Sequence, residues 1–255
     1  MTTVVARPER LFRFYGLRAF FLTELRVQLH ESTAIFTSII VQAVILIFVT
    51  ILDPSLLPEA LIGSLLFSMF QMGQRLQNEA AYVRIDHKLN QLYLASPLTA
   101  ESYFLGMACG VFVAYLPPVL VLGILTEVLV RLSPLTWAVL IAGALAVWLI
   151  ACSIGYVVST MFRDTRAIWS WSSLLYNLFG VLPPVFYPLA LFPAALRPLA
   201  LVLAPSAAAA LVNQARVGGV VTGPEALLAI VALAVEAAGL LVFAVFWARR
   251  SVRQE

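Results

Sequence analysis

Six stretches of this 255-residue chain are apolar over the length that an α-helix needs to cross a lipid bilayer. A spanning helix requires about 20 mostly apolar residues. The stretches that meet this requirement are 33–52, 57–74, 102–130, 134–162, 167–189 and 225–248. Apolar residues make up 62% of the chain and charged residues 11%, which is more apolar surface than one soluble domain can bury. We therefore predict an all-α integral membrane protein with six transmembrane helices in a single domain, 1–255.

The basic residues indicate how such a protein is oriented in its membrane. If the N-terminus lies in the cytoplasm, only Arg131, Arg197 and Arg216 of the 16 Lys and Arg residues fall on the outside. An excess of Lys and Arg in the cytoplasmic segments is the usual arrangement in membrane proteins. We predict a multi-pass protein of the cell (inner, cytoplasmic) membrane with both termini in the cytoplasm. Lipid, and not nucleic acid, is then the expected partner of this basic chain.

Two further segments are expected to lie at the membrane surface or to enter it only partly. Residues 10–31 mix apolar and charged side chains at helical spacing, which predicts an N-terminal interfacial amphipathic helix. Residues 190–224 are apolar but are broken by Pro193, Pro198 and Pro205, so two full spans do not fit. We predict an extracellular re-entrant helical hairpin between spans five and six, with an ordinary lipid-facing loop as the alternative.

Several residues within the predicted spans are candidates for a pathway through the membrane. Glu236 lies midway along span six, where its carboxyl group is either packed in a protonated or hydrogen-bonded form or meets a cationic substrate. Trp148 lies deep in span four and either lines the pathway or packs in the core. Proline pairs in spans three and five predict either bends that shape the pathway or static kinks; they are Pro117, Pro118, Pro183 and Pro184.

The sequence lacks the motifs of common catalytic and nucleotide-binding sites. A phosphate-binding loop needs a lysine directly behind glycines, and the single lysine, Lys88, follows Ile85, Asp86 and His87. The two cysteines and two histidines show no metal-ligand spacing. We therefore expect that the chain is not an enzyme and carries no cofactor or metal of its own.

The segment 78–95, between spans two and three, has the pattern of an amphipathic helix parallel to the membrane. Ala81, Ile85, Leu89 and Leu92 share its apolar face. The opposite face holds Arg84, His87, Lys88 and Gln91. The pair Ser96 and Pro97 then resembles the start of another helix, with serine as the cap and proline in the first turn. The pattern alone fits either a solvated surface or a docking site.

This region also resembles a known family. Glu79, the run Leu89-Asn90-Gln91-Leu92-Tyr93-Leu94-Ala95-Ser96-Pro97-Leu98 and Leu105-Gly106 resemble the signature of ABC-two-type permeases, the six-span membrane subunits of type V ABC exporters. Residues 183–188 and 204–216 are similar to the family's fifth-span end and re-entrant segment. The chain departs from the family in having His87-Lys88 where Gly-Thr is frequent.

The resemblance implies a function and an assembly. Residues 78–95 would be the coupling helix that sits in a groove of an ABC ATPase, with these contact residues: Glu79, Arg84, His87, Lys88, Gln91, Ser96 and Pro97. The complex would contain two ATPase subunits, which bind ATP and Mg, and a second permease copy, either identical or a paralogue. The expected function is export of a small amphiphilic, drug-like or lipid-like substrate. Alternatives are polysaccharide or glycolipid export within the same family, a secondary transporter, and a non-transporting membrane scaffold.

Overall fold

The computed structural model describes residues 32–85 and 99–251, together with five helical residues of the segment 18–26: Arg18, Phe21, Leu22, Leu25 and Arg26. These residues form helices joined by turns and include no β-strand, so the prediction of an all-α protein is confirmed for them. The α-helices are α1 (Ser32–Leu52), α2 (Leu57–Ile85), α3 (Ala100–Ala114), α4 (Leu116–Val130), α5 (Pro134–Ser159), α6 (Thr165–Val181), α7 (Arg197–Val202), α8 (Ala204–Val217) and α9 (Gly223–Ser251).

Three of these helices are long and apolar enough to cross a membrane: α2 with the turn before it, α5 and α9. Two pairs of consecutive helices are also long and apolar enough when each pair is taken as one unit, but both pairs are bent. The angle is 50° between α3 and α4 and 106° between α7 and α8. By length and composition the described residues therefore contain three to five candidate spans, and this many apolar helices is compatible with a multi-pass membrane protein.

The six predicted spans correspond unevenly to these elements. Spans two, four and six are the three long helices, and span three is the bent pair of α3 and α4. Spans one and five are α1 and α6. The apolar stretch Phe36–Leu52 of α1 is short, and α6 has 17 residues. The arrangement of six spans stays a prediction, as does the interfacial helix at 10–31, most of which lies outside the described residues.

Short polar side chains cap the starts of several helices. Ser133 accepts a hydrogen bond from the Thr136 amide at 3.2 Å at the start of α5, and Thr99 accepts one from the Ser102 amide at 3.2 Å at the start of α3. Asp164 caps α6 in the same way. These contacts satisfy amide groups that the first turn of a helix leaves without a carbonyl partner.

Helices α2 and α5 form the centre of the bundle. The most apolar 18-residue stretch of α2 is 72% buried, whereas the corresponding stretch of α9 is only 17% buried. Helix α9 therefore lies at the periphery. A Cβ atom at Gly73 of α2 would lie 2.3 Å from the Ala151 carbonyl oxygen, and one at Gly155 of α5 would lie 2.3 Å from the Gly73 carbonyl oxygen. Tyr176 of α6 donates a hydrogen bond to the same Ala151 carbonyl at 3.0 Å. Small residues thus let the two helices cross with their backbones in contact.

One end of the bundle is held by contacts to α8. Glu59 in the first turn of α2 forms a salt bridge with Arg216 in the last turn of α8. Thr136 in the first turn of α5 donates a hydrogen bond to the Ala215 carbonyl at 3.3 Å. At this end the indole of Trp137 also donates to the Glu127 carboxylate of α4 at 2.7 Å. We refer to this end of the bundle as the Glu59 end.

The opposite end joins the start of α3 to the ends of α5 and α9. Arg249 of α9 pairs with Glu101 of α3, and the indole of Trp247 donates to the Thr160 hydroxyl at 2.8 Å. Arg163 and Arg166 follow α5 at this end. It corresponds to the predicted cytoplasmic side, whereas the Glu59 end carries the three basic residues predicted to lie outside.

Candidate functional site

The predicted coupling segment begins as part of α2. This helix runs unbroken from Leu57 to Ile85, so residues 78–85 continue α2, and no separate helix starts at residue 78. The reason is local: the stretch from Gln74 to Ile85 contains no proline or glycine that would end the helix. Glu79 is 7% exposed and Ala81 is fully buried, so both side chains face the bundle and not its surface.

Arg84 has a structural partner inside this subunit. Its guanidinium donates hydrogen bonds to the carbonyl oxygens of Ser159, at 2.7 Å, and of Phe162. Ser159 ends α5, where carbonyl groups lack partners within the helix and a positive charge is favoured. The substitution Arg84→Glu would therefore disturb the junction of α2 with α5, and it cannot by itself isolate a coupling role.

The other predicted coupling residues lie outside the described residues. They are His87, Lys88, Gln91, Ser96 and Pro97. Their role in contacting an ATPase stays a prediction. The next described helix, α3, begins at Ala100 with Thr99 as its cap.

The first predicted proline pair lies at a bend. α3 ends at Ala114 and α4 begins at Leu116, and Pro117 and Pro118 occupy the first turn of α4. The two helices meet at Tyr115 at an angle of 50°. Proline removes a backbone donor and clashes with the preceding turn, which accounts for the bend.

The second proline pair lies in a buried turn and not within a helix. α6 ends at Val181, before residue 189, where the predicted span five ends. Pro183 and Pro184 follow in a turn that packs onto α2. The Val185 carbonyl oxygen lies 2.3 Å from the position that a Cβ atom would take at Gly63.

This turn forms a small apolar cluster with α2. Phe67, Val185 and Phe186 are buried together, and the rings of Phe67 and Phe186 meet edge to face with centroids 5.5 Å apart. Ile45 of α1 packs against the same group. We refer to Phe67, Val185 and Phe186 as the Phe67 cluster.

The two single residues predicted for a pathway do not meet in one site. Trp148 packs its ring against Phe112, with centroids 5.1 Å apart, and so belongs to the core. Glu236 is half-buried on the peripheral helix α9. Neither side chain is among the described residues that line the cavity between α1 and α2.

That cavity carries several polar side chains, although apolar atoms form most of its surface. Its volume is about 290 Å³, and it lies between α1 and α2 beside the bend at Tyr115. Eight of the ten residues that line it are polar; the lining consists of Thr37, Ser38, Val41, Gln42, Phe67, Gln71, Gln74, Arg75, Asn78 and Tyr115. Polar groups at this depth in a membrane are costly unless they face a cavity or a partner. We call it the α1–α2 cavity.

Two amide oxygens on its wall have no visible partner. Gln42 is 3% exposed, and its Oε1 atom accepts no hydrogen bond from any residue that the structure describes. The same holds for Oε1 of Gln71 on the facing helix. Asn78 differs, because its side-chain oxygen accepts a hydrogen bond from the Ser172 hydroxyl at 3.0 Å.

The charges near the cavity come in opposite signs. Arg75 lies on the wall, and Glu79 follows one turn later on α2, at the spacing where oppositely charged side chains attract each other. The site therefore offers hydrogen-bonding groups and no large net charge. In the part of the chain that the structure describes, no three His, Cys, Asp or Glu side chains converge to hold a metal ion.

Sequence reasoning missed this site. Gln71, Gln74, Arg75 and Asn78 recur at spacings of three and four residues, which places them on one face of a helix. This spacing can be recognised in the sequence. The predicted span two ends at residue 74, however, and so leaves Arg75 and Asn78 in the following loop.

Comparison with known proteins adds no relative. No protein-family model matches the chain, and no curated protein matches it in sequence.

Proposed function

We propose that this chain is the membrane-spanning subunit of an ATP-driven ABC exporter, which moves a small amphiphilic substrate out of the cell. The observation that carries the proposal is the α1–α2 cavity, which presents eight polar side chains between two helices of the bundle. Such polar groups within a membrane domain commonly mark a substrate pathway. A drug-like or lipid-like molecule is the substrate class that a partly polar, partly apolar chamber suits.

The energy source and assembly in this proposal come from the sequence resemblance. ABC-two-type permeases work as pairs with two ATPase subunits, and these subunits would hold ATP and Mg. The permease pair would contain two identical chains or a paralogue. The cytoplasmic membrane and cytoplasmic termini are supported by the basic residues that cluster at the end opposite Glu59.

The Phe67 cluster suggests which way the cavity is closed. Phe67 lines the cavity on the side nearer the Glu59 end, and the turn after α6 covers it there. In the proposed orientation this side is extracellular. We infer that the described conformation is closed toward the outside, and that ATP-driven movement of the Phe67 cluster would open it.

Filling the cavity should block transport without unfolding the protein. Ser38→Trp places a large side chain on the cavity wall, whereas Ile40→Trp adds the same side chain to the exposed face of α1. We expect Ser38→Trp to lower ATP-dependent transport of fluorescent amphiphiles at least about tenfold and Ile40→Trp to have little effect. Transport is measured in inverted vesicles, with matched amounts of folded permease and bound ATPase. Wild-type transport by Ser38→Trp would contradict the assignment of the cavity.

A further inference from the structure

The unpaired amides of the α1–α2 cavity indicate what it binds. A buried amide oxygen without a hydrogen bond destabilises a protein, so such groups are rare unless something else satisfies them. Here two of them, on Gln42 and Gln71, come from different helices and line one cavity. A ligand with hydrogen-bond donors would satisfy both. Rotation of the glutamine amide group exchanges the positions of its oxygen and nitrogen. The same side chains can therefore also donate hydrogen bonds to a ligand.

The charge balance argues against an ionic ligand. A charged group in a membrane interior needs an opposite charge beside it. Arg75 is the one charged residue among the described residues of the cavity wall, and Glu79 follows one helical turn later with the opposite charge. An ionic ligand would therefore meet charges of both signs and no surplus of one sign to pair with. An uncharged polar group fits these surroundings better.

The size and position of the cavity suit a head group and not a whole amphiphile. A volume of about 290 Å³ is at the lower end of the range for small-molecule sites. Gln71 and Asn78 lie roughly 20–30 Å along α2 from its start, at 1.5 Å per residue, which is the inner half of the membrane in the proposed orientation. The outward face of α1 beside the cavity is apolar and exposed, with Ile40 and Val44 available to an alkyl chain.

We propose that the α1–α2 cavity binds the uncharged head group of an amphiphile, one that carries hydroxyl or amide N–H donors, while the alkyl chain lies along α1. Gln42 and Gln71 are the residues that select the head group. This inference rests on the proposed function, which it deepens by naming the chemistry of the substrate.

Photo-crosslinking tests the head group directly. Four probes share a dodecyl chain, carry a diazirine on the chain carbon next to the head group and differ in the head group: glucose, glycinamide, trimethylammonium or sulfate. Each is added to purified permease in phosphatidylcholine nanodiscs, and mass spectrometry locates the labelled residues. We expect the glucose or the glycinamide probe to label residues 37–42 and 67–78, with several-fold less labelling by both ionic probes. Equal or stronger labelling of these residues by an ionic probe would overturn the proposal.

Substitution of the amides provides the matched control. Gln42→Leu combined with Gln71→Leu should lower labelling by the preferred probe at least about fivefold, since both selecting groups are lost. Gln77 is a fully buried glutamine of the same helix whose amide also has no hydrogen-bond partner among the described residues, but it is not part of the described cavity wall, so Gln77→Leu should label like wild type. Undiminished labelling of the double variant, or an equal loss in Gln77→Leu, would overturn the role of the two amides.

Thermal unfolding gives a second readout. Removing an unpaired buried amide should not lower stability, so the Tm of ligand-free Gln71→Leu should equal or exceed that of wild type. A clear fall in Tm would mean that the amide is paired within the protein and would contradict its role in binding. Neither experiment involves ATP or transport. A failed labelling therefore rejects the head group, whereas missing ATP-dependent transport rejects the proposed function.

Discussion

Gly73→Leu is expected to leave little folded protein, with a loss of more than about 4 kcal/mol of stability. The cause is the crossing of α2 with α5, where even a Cβ atom at Gly73 would lie 2.3 Å from the backbone oxygen of Ala151. Backbone atoms cannot rotate away as a side chain does, so the two central helices would have to separate. The hydrogen bond from Tyr176 to Ala151 would be lost with them.

The same substitution at Gly239 is the control. Gly239 lies in α9, and no atom would come within 4 Å of a Cβ atom placed there. We expect Gly239→Leu to be as stable as wild type or slightly more so, because glycine in a helix interior is unfavourable by about 0.5–1 kcal/mol relative to alanine. The measurement is the yield and Tm of monodisperse protein in detergent. A Tm for Gly73→Leu close to that of wild type would show that the crossing is not as tight as described.

Arg216→Ala is expected to lower stability by about 3–5 kcal/mol, because it leaves the Glu59 carboxylate buried without its partner. The side chains of Arg216 and Glu59 are only 17% and 14% exposed. Arg216 also donates a hydrogen bond to Asn213 at 3.1 Å, so the substitution loosens the last turn of α8 as well. Since α8 is tied to α2 through this pair, its position relative to the central helices should become less fixed.

Reversing both charges tests whether Glu59 and Arg216 stabilise the protein as a pair or independently. Glu59→Arg combined with Arg216→Glu should recover part of the stability that either single change loses, as expected for two interacting residues. Arg163→Ala, at an exposed arginine of the opposite end, should have little effect. Thermal unfolding of all four variants gives the comparison. Additive losses in the double variant would show that the two side chains do not depend on each other.

The sequence predicts the helices well because lipid imposes a simple requirement on it. Long apolar stretches located α2, α5 and α9, and the prolines located the bend at Tyr115. Helix ends are harder to predict where polar residues follow an apolar stretch. α2 continues through Gln74 and Arg75 to Ile85, because these polar side chains face the α1–α2 cavity and not lipid.

The site was less predictable because it depends on contacts between distant parts of the chain. No pattern within α1 indicates that Gln42 faces Gln71, and nothing local to Arg84 indicates that it reaches the end of α5. Glu236 and Trp148 stood out in the sequence as unusual residues in apolar spans, but the structure places Trp148 in the core and Glu236 on the periphery. The regular spacing of polar residues on α2 was the one available signal.

In the proposed function, this chain moves amphiphiles only when a separate ATPase drives it. The most direct measurement is uptake of fluorescent amphiphiles into inverted vesicles that contain the permease alone, the permease with its co-purified ATPase, or the permease with an ATPase that binds but cannot hydrolyse ATP. We predict uptake only in the second preparation, and only with ATP and Mg. Uptake by the permease alone under an ion gradient would show a secondary transporter, and the absence of uptake in all three would leave a scaffold; either result contradicts the proposal.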